Sequence, residues 1–446
     1  MPHLSDSISR LFGRKAATSP KELPTSELPI TKNEEQALLN SFALYSGKSS
    51  LPDGKGVSLG LAAAIASEVA RLTVTELSLT FDGTRAGRLL ERALSGFTAH
   101  LRTYVEYACA VGGVMFKPFF DGRTLGVECL LPFDFEPLET DTDGRIVSCA
   151  FHSRLYRSGR YYTRIEEHRR TDKGYRITNR AYISQTKNGE RTPCPLSTVG
   201  TWKGLSPIVE IEGLHDPLFV YFSMPQGNPD APYSPLGVPI FRRAEELIRQ
   251  ADLQFHRLLW EFEGGELAVE ASEDAFRLGK NGRPLLPYGK ERLYRTNVLD
   301  ACSSTSELLK TFSPSLRDSS LINGLNRILM FIEDACGIAR GTFSDPTATA
   351  RTATEIRAMR QRTHATVYSV RRSLGVAIEA LVEGMNQLMR LYRLNDGNAK
   401  VVLSFGDGIL TDSEHQRKED REDVVCGILS KDDYQQKWHA RKEMQA

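Results

Sequence analysis

The sequence predicts an α+β fold, and two patterns carry that expectation. Residues 84–110, 240–262, 314–336 and 354–393 repeat apolar residues every three or four positions, the period of amphipathic helices. Between residues 113 and 183 the pattern changes to strand-like runs cut by turn signals at Asp143-Gly144, Ser158-Gly159 and Asp172–Gly174. Helices followed by a block of strands make residues 33–230 an α+β domain.

The totals agree. With 446 residues the chain has room for roughly two to four domains, and 40% hydrophobic and 25% charged residues allow a buried core. A net charge of +1 excludes attraction of the whole chain to nucleic acid or membrane, so local patches must carry any such role. The seven cysteines are scattered, with no C-x-x-C pair, as expected of free thiols in a reducing compartment. No apolar run reaches the roughly 18 residues that span a bilayer.

The elements follow in order. Residues 1–32 read as a flexible N-terminal tail. Within it MPHLSDSISRLFGRK can form a short basic amphipathic helix, either a membrane-surface anchor or a small packing helix, before a linker rich in Ser, Thr and Pro. Residues 33–46 and 58–72 read as helices, and LTVTELSLTF (72–81) alternates like a strand. The helix over 84–110 carries Leu89, Leu90, Leu94, Phe97, Leu101, Tyr104, Val105 and Ala108 on one stripe and ends at Gly112-Gly113. Strands are expected in VMFKPFF, LGVECLL and RIVSCAFHSRLY, then as short pieces around Tyr161–Glu166, Tyr175–Ile177 and Arg180–Ile183. A loop dense in Pro and Gly (MPQGNPDAPYSPLGVP, 224–239) closes the domain.

Three long helices come next. The first starts after Pro239 and stops at Gly264-Gly265. About fifty residues with strand and turn signals (ELAVEAS, GKNGRP, ERLYRT) separate it from the second. The second opens with Ser313 as N-cap and Pro314 as first helical residue, and Gly337 stops it. The segment SDPTATARTATEIRAMRQRT (344–363) then leads through small polar residues into the third, where Thr352 and Glu355 have capping-box spacing. This helix runs to Arg393, about 60 Å at 1.5 Å per residue, with a kink expected at Gly375 or Gly384. A turn (NDG), a strand (KVVLSF) and a charged tail end the chain.

Searches for catalytic chemistry give little. YSGKSS (45–50) lacks the leading Gly of a phosphate loop, where Phe42 stands. ETDTDGRIVSCA (139–150) lacks the final Glu of a calcium loop, having Ala150, and reads as a hairpin. The nine histidines are isolated, with no His/Cys cluster, so no metal site is expected, and no motif argues for a cofactor or an enzyme. His168, beside Glu166 and Glu167, reads as part of a solvated strand face rather than a general base. Residues 152–191 hold nine Arg and four acidic residues, with five Tyr interleaved. That composition fits a nucleic-acid-binding sheet, or an exposed sheet whose Arg stems cover apolar surface.

The order of elements resembles the portal proteins of tailed bacteriophages, in the siphophage and prophage branch. The resemblance covers roughly residues 35–395. It rests on SLGLAAAIASEVARLTVTELSLTF; on ERALSGFTAHLRTYVEYACAVGGVMFKPFFDGRTLGVECLLPFDFEPLETDTDGRI; on FVYFSMPQGNPDAPYSPLGVPIFRRAEELIRQADLQFHRLLWEFEGGELAV, with Asp252, Trp260 and Glu261 in its helix; and on RTATEI. Phe42 stands where relatives often have Trp.

The resemblance implies a portal fold: an α+β wing at 33–239, stem helices at 240–263 and 314–338, a small β-containing clip at 264–313, a tunnel loop at 339–353, a long kinked wing helix at 354–394 and a crown-side or peripheral segment at 395–446. It implies a ring, usually of twelve copies, at one capsid vertex of the virion, through which double-stranded DNA is packaged and ejected. The partners expected are the terminase large subunit, the head-tail connector, and the capsid and scaffold proteins, with no membrane. The DNA-facing positions expected in the tunnel loop are Arg340, Thr342, Ser344, Asp345, Thr347, Thr349 and Arg351. Arg317 and Arg327 would face the channel from the stem, and Lys280, Arg283, Lys290 and Arg292 would meet the motor from the clip. The competing readings are a nucleic-acid-binding protein or enzyme using 152–191, or a peripheral structural protein anchored by the N-terminal helix.

Overall fold

The computed structural model describes residues 32–48, 56–186, 189–272, 277, 285, 294–297, 309–345 and 353–406, and isolated positions between 420 and 434. It is a mixed α+β structure. Helices α1 (Lys32–Tyr45), α2 (Leu61–Val74) and α3 (Arg85–Val111) come first, with strand β1 (Leu77–Phe81) between the last two. The strand expected over 72–81 is therefore shorter. Leu72 and Thr73 bury themselves as the last turn of α2, and Glu76, at φ 59°, makes the break.

Helix α3 is amphipathic as its stripe requires. Thr84 caps it by accepting the Gly87 N–H at 3.0 Å, and Leu90, Leu94, Phe97, Leu101 and Val105 are buried. It ends at Gly112, whose φ of 91° places it in the left-handed region. A Cβ there would lie 2.2 Å from the Gly237 carbonyl oxygen, so this glycine also permits two backbones to touch.

Two sheets come after α3. One has the order β10-β2-β3 (Val220–Ser223, Gly113–Phe120, Leu125–Leu130). The other has the order β4-β5-β6-β7-β8 (Phe135–Thr140, Ile146–Arg157, Arg160–Thr171, Gly174–Ser184, Thr192–Cys194), with β9 (Ile208–Glu212) also on β7. The short pieces expected after Tyr161 are two long continuous strands, held in register along an eleven-residue pairing from Tyr161↔Ser184 to Thr171↔Gly174. β4 escapes a propensity reading because Pro137 argues against a strand; it is tolerated because β4 is an edge strand. The β5–β6 turn has Ser158 at φ 51° and Gly159 at φ 75°, both positive as its two-residue loop demands. Met115, Phe135, Cys149, Phe151, Tyr175 and Phe219 fill the core between the two sheets.

After a 3-10 turn (Arg242–Ala244), α4 (Glu245–Gly264) and α5 (Asp318–Cys336) pack side by side. They are antiparallel: Glu261 meets Arg317, and Gln254 donates to the Leu321 carbonyl. Between them, β11 (Ala268–Ser272) pairs parallel with β12 (Tyr294–Asn297) and antiparallel with β13 (Leu309–Phe312). Ser313 does not cap α5. The helix starts after Arg317, whose N–H donates to the Glu261 carboxylate of α4 at 3.0 Å. A partner on the neighbouring helix has replaced the local cap.

Helix α6 (Ala353–Leu391) is continuous through Gly375 and Gly384. Its helical hydrogen bonding is unbroken where a kink was expected, and Val370, Leu374, Ile378, Leu381 and Met385 hold it in the principal core with α2 and α3. Thr352 of the expected capping box lies outside the described residues. Strand β14 (Val401–Phe405) then pairs antiparallel with β1, from Leu77↔Phe405 to Phe81↔Val401. This part of the expected peripheral segment is therefore tied to the first strand of the chain.

Candidate functional site

The α4–α5 hairpin is rooted at one end and free at the other. Ile248 and Ala251 of α4 and Ile332 and Cys336 of α5 belong to the principal core. Asp252, buried within this end of α4, accepts the Leu59 N–H at 2.8 Å and so fixes the hairpin to the start of α2. Glu245 accepts from Ser41 of α1 and pairs with Arg242, which also grips Asp230 in the 224–239 loop. Large apolar side chains along the hairpin are uncovered: Trp260 is 62% exposed and Ile322 47% on the side of the three-stranded sheet, and Phe331, beside the buried Ile332 nearer the rooted end, is 50% exposed.

From α5 the chain turns through residues 337–345. Gly337 stops the helix at φ 68°, and Thr366 of α6 donates its hydroxyl to the Gly337 carbonyl at 2.8 Å. Glu333 is fully buried, and its carboxylate organises this turn. It accepts the N–H groups of Gly341, Phe343 and Ser344 and the Ser344 hydroxyl, at 2.6–3.1 Å. Asp334 points the other way and binds Arg340 and Arg362. The Arg340 hydrogen bonds come first, then both guanidinium charges, in holding the Asp334 carboxyl below its usual range. Comparison with known protein families finds no matching family model, and comparison with curated proteins finds no match.

The expected site residues separate into three groups. Thr347, Thr349 and Arg351, and all four clip positions Lys280, Arg283, Lys290 and Arg292, lie outside the described residues. Arg340 and Thr342 are at least partly exposed, but Arg340 is engaged by Asp334 and the Thr342 hydroxyl donates to the Ala339 carbonyl at 2.6 Å. Asp345 is exposed, with its N–H held by Asn326 at 2.7 Å. Ser344 is buried, which removes it from any surface-facing set. Within the expected tunnel loop at 339–353, residues 339–345 form a turn whose backbone a buried carboxylate draws inward.

Of the two positions expected to face a channel from a stem, Arg317 spends its guanidinium on Glu261 at 2.7 Å, while Arg327 is exposed. Glu333 was missed, although the sequence held a signal. It stands four residues after Leu329 on the apolar stripe of α5, where a charge must find buried donors.

The Arg/Tyr-rich sheet also changes character. His168 is not on a solvated face: it is buried beneath Phe151 and Phe219. Its Nε2 lies 2.8 Å from Glu166 and its Nδ1 lies 3.2 Å from the Tyr175 hydroxyl. Burial pushes the imidazole below its ordinary value, so neutral His168 donates to the carboxylate. Burial alone would raise Glu166, but Lys117, His168 and Arg164 together bring it well below the carboxylate range. On the opposite face Arg169 pairs with Glu167 and Glu139, Arg180 with Glu167, and Arg176 with Glu210. These arginines are committed to carboxylates within the fold. Among the described residues no group of three or more His, Cys, Asp or Glu is placed to hold a metal ion, and no helix is long and apolar enough to cross a membrane.

Proposed function

We propose that this chain is a portal protein of a tailed bacteriophage: a ring subunit whose copies enclose a channel for double-stranded DNA at one capsid vertex. The observation that carries the reading is the α4–α5 hairpin. It is anchored in the core of an α+β domain, holds a small sheet at its far end, and leaves Trp260, Ile322 and Phe331 uncovered along its flanks. Large apolar side chains in an exposed series on a helical pair are costly in a monomer, and neighbouring copies arranged head to tail in a closed ring would bury them.

Support also comes from the order of elements, which follows the resemblance in the sequence: α+β domain, helix, small sheet, helix, short turn, long helix. In this reading the hairpin is the stem, the sheet is the clip that meets the terminase motor and later the connector, and the turn after α5 leads into the tunnel loop. The function needs no catalysis by the chain itself. The Glu333 anchor would set where the loop leaves the stem, so that its position in the channel is the same in every subunit.

The test is the mass of the purified full chain in solution together with negative-stain images. A ring with a central hole near about 600 kDa, twelve times 49.8 kDa, supports the reading. Particles of one or two chains that persist at high concentration and with scaffold protein would overturn it.

A further inference from the structure

The β5–β6 hairpin carries a feature that neither the sheet core nor the ring reading uses. β4 pairs with β5 only as far as Phe135↔Phe151, followed by a last bond from the His152 N–H to the Asp134 carbonyl at 2.8 Å. Beyond that point β5 continues to Arg157 with β6 on one side and no strand on the other among the described residues. Successive residues of a strand send their N–H groups to opposite sides, and the His152 N–H points outward, so the Tyr156 N–H points outward too.

This open edge is basic and partly apolar. Leu155 is 41% exposed and Tyr156 65%. Arg157 and Arg160 face each other as direct cross-strand partners, both exposed, and neither has an ion-pair partner among the described residues. Like charges directly opposite destabilise a hairpin, and a local choice that works against the fold points to a use outside it. Arg164 on this hairpin pairs with Glu166, and the arginines farther along the sheet are matched to Glu139, Glu167 and Glu210, which sets the Arg157–Arg160 pair apart.

We propose that the outer edge of β5, from Ser153 to Arg157, receives an extended acidic segment of another protein by strand addition. An exposed edge offers main-chain hydrogen bonds to any extended chain, and its side chains choose which one. Two copies of this edge repel each other, because each would set its arginines against the other's. An acidic strand is attracted, its carboxylates meeting Arg157 and Arg160 on one face and its alternate apolar residues packing on the other face against the Tyr156–Tyr161 pair, whose ring centroids lie 4.6 Å apart. Nucleic acid would use the arginines but not the free edge, so the edge decides for a peptide. The proposal is independent of the ring.

The probe is a fluorescent, acetylated octapeptide of sequence Glu-Val-Glu-Thr-Glu-Val-Glu-Thr, titrated with the full chain and read by anisotropy. Its Lys-for-Glu counterpart and a twelve-nucleotide oligothymidylate serve as comparisons. Binding of the acidic peptide should weaken about tenfold in Arg157→Glu/Arg160→Glu, which should gain affinity for the Lys peptide. Tyr156→Pro removes one outward N–H without touching the β5–β6 ladder and should weaken the acidic peptide alone. No binding of the acidic peptide, binding that both variants leave unchanged, or tighter binding of the oligonucleotide would each overturn the proposal.

Discussion

Glu333 and Ser344 are joined twice: the Ser344 N–H donates to one carboxylate oxygen at 2.9 Å, and its hydroxyl donates to the other at 2.7 Å. A helix and the turn that leaves it are thereby bound through one buried charge. Glu333→Ala leaves the Phe343 and Ser344 N–H groups without an acceptor and should cost about 3 kcal/mol or more. Ser344→Ala removes one donor and should cost about 1 kcal/mol. Chemical denaturation gives both values, and limited proteolysis between residues 337 and 345 should accelerate in the first variant only. Equal stability of Glu333→Ala and the parent chain would show that the carboxylate does not hold the turn.

Arg371 does comparable work at the far end of α2. Its guanidinium donates to the carbonyls of Leu72, Thr73, Thr75 and Gly406 at 2.9–3.3 Å and lies over the Phe405 ring. It therefore caps a helix C-terminus and binds α2, α6 and β14 together. Arg371→Lys should lose nearly as much stability as Arg371→Ala, about 2–3 kcal/mol, because one ammonium cannot reach four divergent carbonyls. Full retention of the melting temperature in the Lys variant would refute this.

Glycines in α6 and at the end of α3 should respond in opposite directions. A Cβ at Gly375 would meet Leu403 at 3.8 Å, an ordinary contact, so Gly375→Ala should stabilise by about 0.5–1 kcal/mol. Gly112→Ala combines a positive φ with a 2.2 Å clash against the Gly237 carbonyl and should destabilise by several times that amount. Thermal melts of the two single variants decide the signs.

The Glu166–His168 pair predicts a pH dependence. His168 is held below its ordinary 6.5, so below that pH the unfolded chain takes up a proton that the folded chain refuses, and stability falls. Glu166 is held below its ordinary 4.5, so its contribution is complete above that value and is lost as pH drops beneath it. Asp134, pushed up to about 6 by burial, acts in the opposite sense, adding stability as pH falls through 6. His168→Asn keeps Asp134 and removes the imidazole. The loss of melting temperature between about pH 7.5 and about pH 5.5 should therefore be smaller in the variant than in the parent.

If neighbouring copies cover the stem flanks, charge placed there should block assembly and spare the fold. Ile322→Lys and Phe331→Lys lie on exposed positions, so each should change monomer stability by less than about 0.5 kcal/mol. The mass in solution should drop from a ring to single chains. A ring of unchanged mass in the double variant would show that this face is not buried between copies.

The sequence by itself determined the α+β class and most of the element types. Periodicity marks α3, α4, α5 and α6 because each buries one stripe, and glycine marks their ends where a left-handed residue is needed, as at Gly112 and Gly337. Boundaries that depend on a distant partner were decided only in three dimensions. Ser313 looked like a cap until Glu261 supplied the acceptor from the neighbouring helix. The loop expected at 339–353 gave no sign that Glu333 draws N–H groups of its first residues inward, and His168 looked solvated until two packed sheets enclosed it with Glu166. Local pattern records which face of an element is apolar, but it does not record which polar group finds its partner many residues away. A buried charge is stable only where the whole fold brings its donors to it.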